Sequence, residues 1–586
     1  MSINFQTTDP SIELRACKQK IASLALARLM VFFAIGALLI VGLTEVRWLL
    51  VLFFPLAGLF VYLIKLFNQQ KDRQAFLRSV LMIEENALLR KRRELSSFDQ
   101  GAIFKDKKHP FCNDLDLFGE HSLFQLLDHT VGEGGRIKLA SWIKAGVDPK
   151  QAQKRFRAIK ELSTHKAFIR NFEAIGKAFI KSEKSKKSFY QWLKTPVQWK
   201  SFYWIPLITG PIVGLLLLFG WLLAGWSPAY IGIWILVGLG FLGLVFKTLL
   251  EAYKAMPDHG DLKTLTSWAA ELEQLEFSDS YLKSLQAPVM DNTFRASLAL
   301  RALEQQSFAV QNRINMVYLI FNLFFWVDFG LLWRLESWKK KYAGHMEKWE
   351  ETFQELQVLV SLSAFTVEEG ISCEVKWSDH LELKVEELKH PLLQQEACVP
   401  NDFCLSDSQK IVLLTGSNMS GKTTFMRTVG INLVLANLGL SPFAKNFTTG
   451  AFQLFTSMRN TDSLSESVSS FYAELARIKG LLDRAENQYP VFFLLDEILK
   501  GTNTTDRVMG SEALVKQLLG SQSKGIISTH DIELSQLENE IPQVVNYSFH
   551  SNIKDDEILF DYKIKKGACT SFNAHKLMEL MGIRFS

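Results

Sequence analysis

The stretch Gly416-Ser417-Asn418-Met419-Ser420-Gly421-Lys422-Thr423-Thr424 constrains this chain more than any other. It follows the apolar run Ile411-Val412-Leu413-Leu414 and opens a helix-compatible segment reaching Leu438. Strand, glycine-rich turn and helix in that order are the context that separates a phosphate loop from a chance match. Gly416 and Gly421 permit a tight turn that aims successive N–H groups and a helix N-terminus at a polyphosphate. Lys422 is then placed to reach the β- and γ-phosphates, and the Thr423 hydroxyl to hold Mg²⁺. The plain alternative is a glycine-containing turn between a strand and a helix. Strand, spacing and the Lys-Thr pair together favour a site for ATP or GTP.

Two later runs fit the same site. Val491-Phe492-Phe493-Leu494-Leu495 closes on Asp496-Glu497, as expected for a strand buried in a parallel sheet with its C-terminal end at the nucleotide. Asp496 would complete the magnesium shell with Thr423, and Glu497 would polarise the attacking water. Gly525-Ile526-Ile527-Ser528-Thr529-His530 is a second apolar strand with a polar end. Its His530 is either a sensor of the γ-phosphate or a capping histidine.

The rest of the chain is of another kind. Its 586 residues suffice for two to four domains, and 48% hydrophobic content with mean hydropathy +0.07 points to a membrane part. A formal net charge of +5 neither favours nor excludes a nucleic-acid partner. Cys17, Cys112, Cys373, Cys398, Cys404 and Cys569 include no Cys-x-x-Cys pair and read as reduced thiols. Residues 1–75 hold a hairpin of apolar segments at about 22–43 and 48–66, and residues 201–247 hold a second, broken at Gly225-Trp226-Ser227-Pro228. Basic residues flank both hairpins on the same side, so both ends of each are expected in the cytoplasm, at a multi-pass cell membrane with lipid as a partner. A second apolar run so close behind the first argues against a cleavable signal peptide.

Residues 76–200 and 248–363 read as two parts of a helical core or lever, and residues 364–586 as an α/β domain. Leu123, Leu126 and Leu127 share one helix face and are expected in the core. The run Arg90-Lys91-Arg92-Arg93 is expected to be solvated or to meet anionic headgroups. Ile314 to Trp333 contains Asn315, Asn322 and Asp328. Because an ionisable group in lipid is costly, it is read as a buried soluble helix and not as a fifth span.

The order of motifs resembles the DNA mismatch-repair ATPase family MutS, within the ABC-type ATPases. The resemblance rests on His390-Pro391-Leu392-Leu393, Thr415 to Arg427, Asp462 to Glu474, Asp496-Glu497-Ile498, Gly501 to Asp506, Ser528-Thr529-His530, Leu126 to Trp142 and Ser571 to Gly582. It implies a multidomain fold in which α-helical membrane hairpins and a helical core or lever accompany a C-terminal α/β ABC-type P-loop ATPase domain. ATP and Mg²⁺ are the implied cofactors, held at Gly416 to Thr424, and Tyr562 is a candidate to stack on the base. A homodimer with shared nucleotide sites follows, with Ser469 directed at the partner's nucleotide, and DNA is implied as a ligand. The departures are specific. Leu499-Lys500 and Ser467-Val468 stand where the family has Gly-Arg, Cys398 stands where an adenine-stacking aromatic is expected, and no mismatch-reading domain precedes the helical core. Glu251 to Arg313 carries nine acidic against six basic residues, net −3, a poor surface for phosphates.

Two functions therefore stand side by side: a membrane-anchored MutS-like ATPase acting on DNA, and an ATP-driven organiser of the membrane hairpins that has lost its DNA clamp. An ABC transporter fits least, since Ser463 to Ser470 lacks a Leu-Ser-Gly-Gly-Gln type signature.

Overall fold

The computed structural model describes residues 5, 7–180, 186–291, 294–417, 419–458, 470–487, 490–554 and 557–569. The chain forms two compact units. One comprises residues 1–85, 130–135 and 165–357; the other comprises residues 86–129, 136–164 and 358–586. The grouping of 86–129 and 136–164 with the C-terminal sheet region is not conveyed by chain order.

The first unit is almost wholly helical. Asp9 starts the helix Pro10–Thr44, its side chain accepting the N–H groups of Ser11 at 3.0 Å and Ile12 at 3.1 Å. The return helix Phe53–Lys91 follows a turn at Arg47–Leu52. The second hairpin consists of Trp204–Leu223 and Ala229–Ala255, separated at Gly225, whose φ is +70°, and Pro228. Among the described residues four helices are long and apolar enough to cross a membrane: Pro10–Thr44, Trp48–Lys91, Ser201–Leu223 and Ala229–Ala255. Large apolar side chains point outward along them, Ile40 being 67% and Leu236 69% exposed. The helix Ala229–Ala255 runs on past Lys247 and buries Val245, Leu249 and Ala252. The helices His259–Leu272 and Ala296–Gln311 form further parts of the same unit.

The expectation of one buried helix over Ile314 to Trp333 is corrected. The chain forms two helices, Met316–Phe325 and Val327–Tyr342, bent by 95° at Trp326. The second is largely buried, but the first exposes Met316, Val317, Leu319, Ile320 and Phe321. The ionisable group that motivated the expectation is satisfied internally. Asp328 receives a two-pronged contact from Arg313 and a hydrogen bond from the Tyr318 hydroxyl at 2.8 Å.

In the second unit the alternation of short strands and helices builds two sheets. The strands in chain order are β1 Val375–Trp377, β2 Leu383–Leu388, β3 Asn401–Leu405, β4 Ile411–Gly416, β5 Asn446–Thr449, β6 Gln453–Ser457, β7 Val491–Asp496, β8 Lys524–Ser528, β9 Val544–Lys554 and β10 Glu557–Lys566. The larger sheet has the order β10-β9-β4-β8-β7-β6, parallel except for the β9–β10 pair. The smaller has the order β1-β5-β2-β3. Residues 411–416 and 491–495 are buried throughout, which is why both read as unbroken apolar runs and not as alternating ones.

Leu123, Leu126 and Leu127 are fully buried, in a short helix opened by a Ser122–Gln125 capping box. The solvated reading of the basic run fails for two of its four residues. Arg93 is buried against Glu369 at 2.7 Å and donates to the Pro391 carbonyl at 2.8 Å. Arg90 is buried too, donating to the Asp128 carbonyl at 2.6 Å. A buried guanidinium persists only when its charge and donors find partners, and a linear run does not reveal them. All six cysteines are free thiols.

Candidate functional site

β4 ends at Gly416 with φ +149°, and a Cβ there would meet the Phe549 carbonyl at 2.8 Å. Glycine is therefore required where the backbone turns out of the sheet. The turn closes at Gly421, with φ +106°, and the helix Lys422–Leu438 begins. Lys422 is buried, and its ammonium donates to the carbonyls of Gly416 at 2.8 Å and Ser417 at 3.0 Å. Burial pushes its pKa below the ordinary lysine value, against the pull of Glu497 and Asp496. Ser417 Oγ and Ser420 Oγ are buried hydroxyl oxygens with no hydrogen-bond partner among the described residues. Met419 projects outward with φ +68°, and Thr424 is exposed on the first helical turn. Asn418 lies outside the described residues.

Strand order brings the remaining groups in. β8 lies between β4 and β7, with Ser528 in register with Leu414 on one side and Asp496 on the other. Thr423 Oγ1 donates to Asp496 Oδ2 at 2.6 Å, and the Ser528 hydroxyl donates to Asp496 Oδ1. The two oxygens of Asp496 are thus fixed by different elements, one by the helix that carries Lys422 and the other by β8.

Glu497 follows in the left-handed region, φ +48°, with its N–H on the Ser528 carbonyl at 3.0 Å. Its Oε1 meets His530 Nε2 and its Oε2 meets Lys500 Nζ. The hydrogen bond from His530, aided by Lys500 and opposed by burial, holds the Glu497 pKa down to about 2. At neutral pH it is a carboxylate between two donors. Two residues on, Leu499 is also left-handed, φ +59°, and its N–H is taken by the carboxylate of Glu474 from the helix Ser470–Glu486. Arg507 and Asp531 form a two-pronged pair at 2.8 and 2.7 Å beside this loop.

A cleft of about 470 Å³ runs over the loop, lined among others by Met419, Lys422, Thr423, Glu497, Cys398 and Tyr562. Tyr562, with φ +52°, packs over Gly421. Cys398 is half-buried in the cleft, and its sulfur accepts the His390 N–H at 3.3 Å.

The structure thus gathers Gly416, Ser417, Met419, Ser420, Gly421, Lys422, Thr423, Thr424, Asp496, Glu497, His530 and Tyr562 around one cleft. Ser469 and the segment Ser571 to Gly582 lie outside the described residues. Sequence reasoning missed three partners. Ser528 as the second support of Asp496 depends on strand order. Lys500 could have been found from its i, i+3 spacing to Glu497, and Glu474 as the anchor of Leu499 had no local signal.

These features define an α/β domain with a glycine-bounded strand–turn–helix and an acidic pair at the C-terminal ends of its parallel strands. MutS domain V matches residues 412–583, and over its C-terminal part the chain is similar to proteins of the MutS family. It is 29% identical over 293 residues to the DNA mismatch repair protein MutS of Protochlamydia amoebophila (strain UWE25), covering 48% of this chain and 33% of that one. The protein of the same name from Staphylococcus haemolyticus (strain JCSC1435) is 30% identical over 41% of this chain and 28% of its own. For Bacillus subtilis (strain 168) the figures are 28%, 44% and 30%. The matched region spans about a third of the length of these relatives.

Proposed function

We propose that this chain is a membrane-anchored, ATP-hydrolysing MutS-family protein that works as a homodimer with shared nucleotide sites. The observation that carries the hydrolytic part is the Thr423–Asp496 bond of 2.6 Å beside buried Lys422, with Glu497 the next residue along. The donor set fits a magnesium triphosphate. Ser417 and Ser420 have buried hydroxyl oxygens without partners among the described residues, and a threonine–aspartate pair offers hard oxygen ligands. When bound, Mg²⁺ neutralises charge developing on the phosphoryl oxygens.

The residues divide the work. Lys422 exchanges its two loop carbonyls for phosphate oxygens, the loop N–H groups cradle the phosphates, and Thr423 with Asp496 holds the ion. Glu497, kept ionised, accepts a hydrogen bond from the attacking water and orients it. His530 positions Glu497 through their hydrogen bond and would register the γ-phosphate through it. Tyr562 offers a face to the base. The test is Glu497→Gln. ATP should still bind, while kcat falls about 10²- to 10⁴-fold, the range for losing a positioned acid–base group; unchanged turnover would remove Glu497 from this role.

Action on DNA is supported by likeness to proteins named for DNA mismatch repair. A second reading, ATP-driven organisation of the membrane hairpins, is favoured by a specific linkage. Asp72, on the first hairpin's return helix, is ion-paired with Lys263 of the helix His259–Leu272. The return helix of the second hairpin continues unbroken into soluble structure at Ala255. Binding of duplex, branched and mismatched DNA by the solubilised protein, measured against salt, separates the two readings, because phosphate contacts give a steep salt slope.

A further inference from the structure

We infer that the helix Met316–Phe325 is a re-entrant element that enters the bilayer interior beside the second hairpin and leaves on the side it came from. The inference rests on the membrane reading of that hairpin.

The path can be followed against the hairpin, whose charged flanks Lys200 and Lys247 mark its base. At the start, Arg313 lies 5.9 Å from the ring of Phe246, next to Lys247. At the far end, Trp234 Nε1 donates to the Phe324 carbonyl at 3.0 Å, and Trp326 stacks on Trp234 at 4.2 Å. On the other hairpin helix the same far end lies against Gly210 and Gly214. A Cβ on either would meet the carbonyl oxygens of Phe325 at 2.9 Å and Phe324 at 2.7 Å. The chain then reverses at Trp326, a non-glycine residue held at φ +52°. It descends past Leu207 at Gly330, Tyr203 at Phe329 (5.4 Å) and Trp204 at Trp333 (5.8 Å), back to the base beside Lys200. From Trp204 to Gly214 is about 15 Å of helix, or half the ~30 Å hydrocarbon thickness.

The surface suits lipid. Between Arg313 and Asp328 there is no charged residue, and the outward face of the ascending helix is apolar, with Met316 76% and Ile320 57% exposed. The two flanking charges neutralise each other and take the Tyr318 hydroxyl, while Asn322 Oδ1 accepts the Asp328 N–H at 2.8 Å across the break. A broken helix at membrane depth is tolerated only where its freed backbone groups are satisfied by protein. Trp234 and Asn322 supply that here. The bilayer is the one occupant that meets an uncharged face continuous with two candidate spans.

The test uses the full chain in lipid nanodiscs. An environment-sensitive fluorophore is attached at Ile320→Cys and, separately, at Leu216→Cys on the hairpin, with unsubstituted protein labelled in parallel as background. We expect both sites to give blue-shifted emission, to lose fluorescence to acyl-chain spin-labelled lipid and to resist aqueous iodide. If the Leu216 site is lipid-quenched while the Ile320 site is quenched by iodide, the re-entrant element is overturned and the membrane reading stands. If the Ile320 site resists both quenchers, protein covers this face, a second copy being one candidate, and the inference is again overturned. If the Leu216 site is itself open to iodide, the membrane reading fails with it.

Discussion

The carboxylate of Glu474 receives the backbone N–H of Leu499, two residues beyond Glu497. Left-handed non-glycine residues cost about 1–3 kcal/mol each and persist only when their surroundings hold them, and this loop has two, Glu497 and Leu499. Glu474 also lies one turn into the helix that begins at Ser470, the segment which the family resemblance sends towards a partner subunit. Glu474→Ala should lower kcat about 10- to 100-fold, since a hydrogen bond to a charged group contributes about 1.5–3 kcal/mol, with little change in ATP affinity. Glu474→Gln, which keeps an acceptor oxygen, should recover most of the loss in steady-state kinetics. Equal loss in both variants would mean that the charge matters and the N–H anchor does not.

The pH profile reports the two side chains that hold Glu497. Both His530 and Lys500 lower its pKa, His530 more, so removing either raises it and moves the acid limb of kcat/KM to higher pH. The movement should be larger in His530→Ala than in Lys500→Met, measured at saturating Mg²⁺ from pH 8 down to the acid limit of the folded protein. The reverse order would contradict the pairing described.

His390 lines the same cleft, and burial depresses its pKa from 6.5 to about 4. Its Nδ1 accepts the Leu392 N–H at 3.1 Å, which protonation there would break. Between those values the unfolded chain binds more protons than the folded one. The stabilisation is therefore complete above about pH 6.5 and is lost as pH falls towards 4, amounting to roughly 3 kcal/mol. His390→Asn, which keeps an acceptor, should flatten the pH dependence of urea unfolding across this window.

The flanking charges predict topology. A thiol introduced at Ser227, in the turn of the second hairpin, should react with a membrane-impermeant reagent applied to intact cells, and one at Gln522, on the surface of the sheet domain, should not. Reaction at Gln522 would reverse the assignment.

Shared sites predict complementation. Mixing Lys422→Ala and Ser469→Ala subunits should restore activity that neither parent shows, because the heterodimer collects both defects in one site and leaves the other whole. Proven heterodimers without activity would argue for sites confined to single subunits.

The tight turn from Gly416 to Lys422 was legible because its determinants are contiguous: the two glycines and the lysine belong to the turn that they themselves form. Asp496 and His530 were legible because each ends an apolar run. Ser528 was not legible as a partner of Asp496, since only the insertion of β8 between β4 and β7 sets them side by side. Arg90 and Arg93 misled for a related reason, as their acceptors Asp128 and Glu369 lie far along the chain. The break at Trp326 carries no glycine or proline. It is set by the stack on Trp234 and the small faces of Gly210 and Gly214, which are tertiary facts.

The clasp on Glu497 governs access as well as geometry. With one carboxylate oxygen on His530 and the other on Lys500, the residue proposed to orient water keeps a free lone pair on each oxygen, approachable only from directions those two side chains leave open. Lys500 is the more exposed of the two and belongs to the loop resembling the family's dimer face. Under the shared-site proposal, a second subunit that drew Lys500 aside would widen the path by which water reaches that carboxylate.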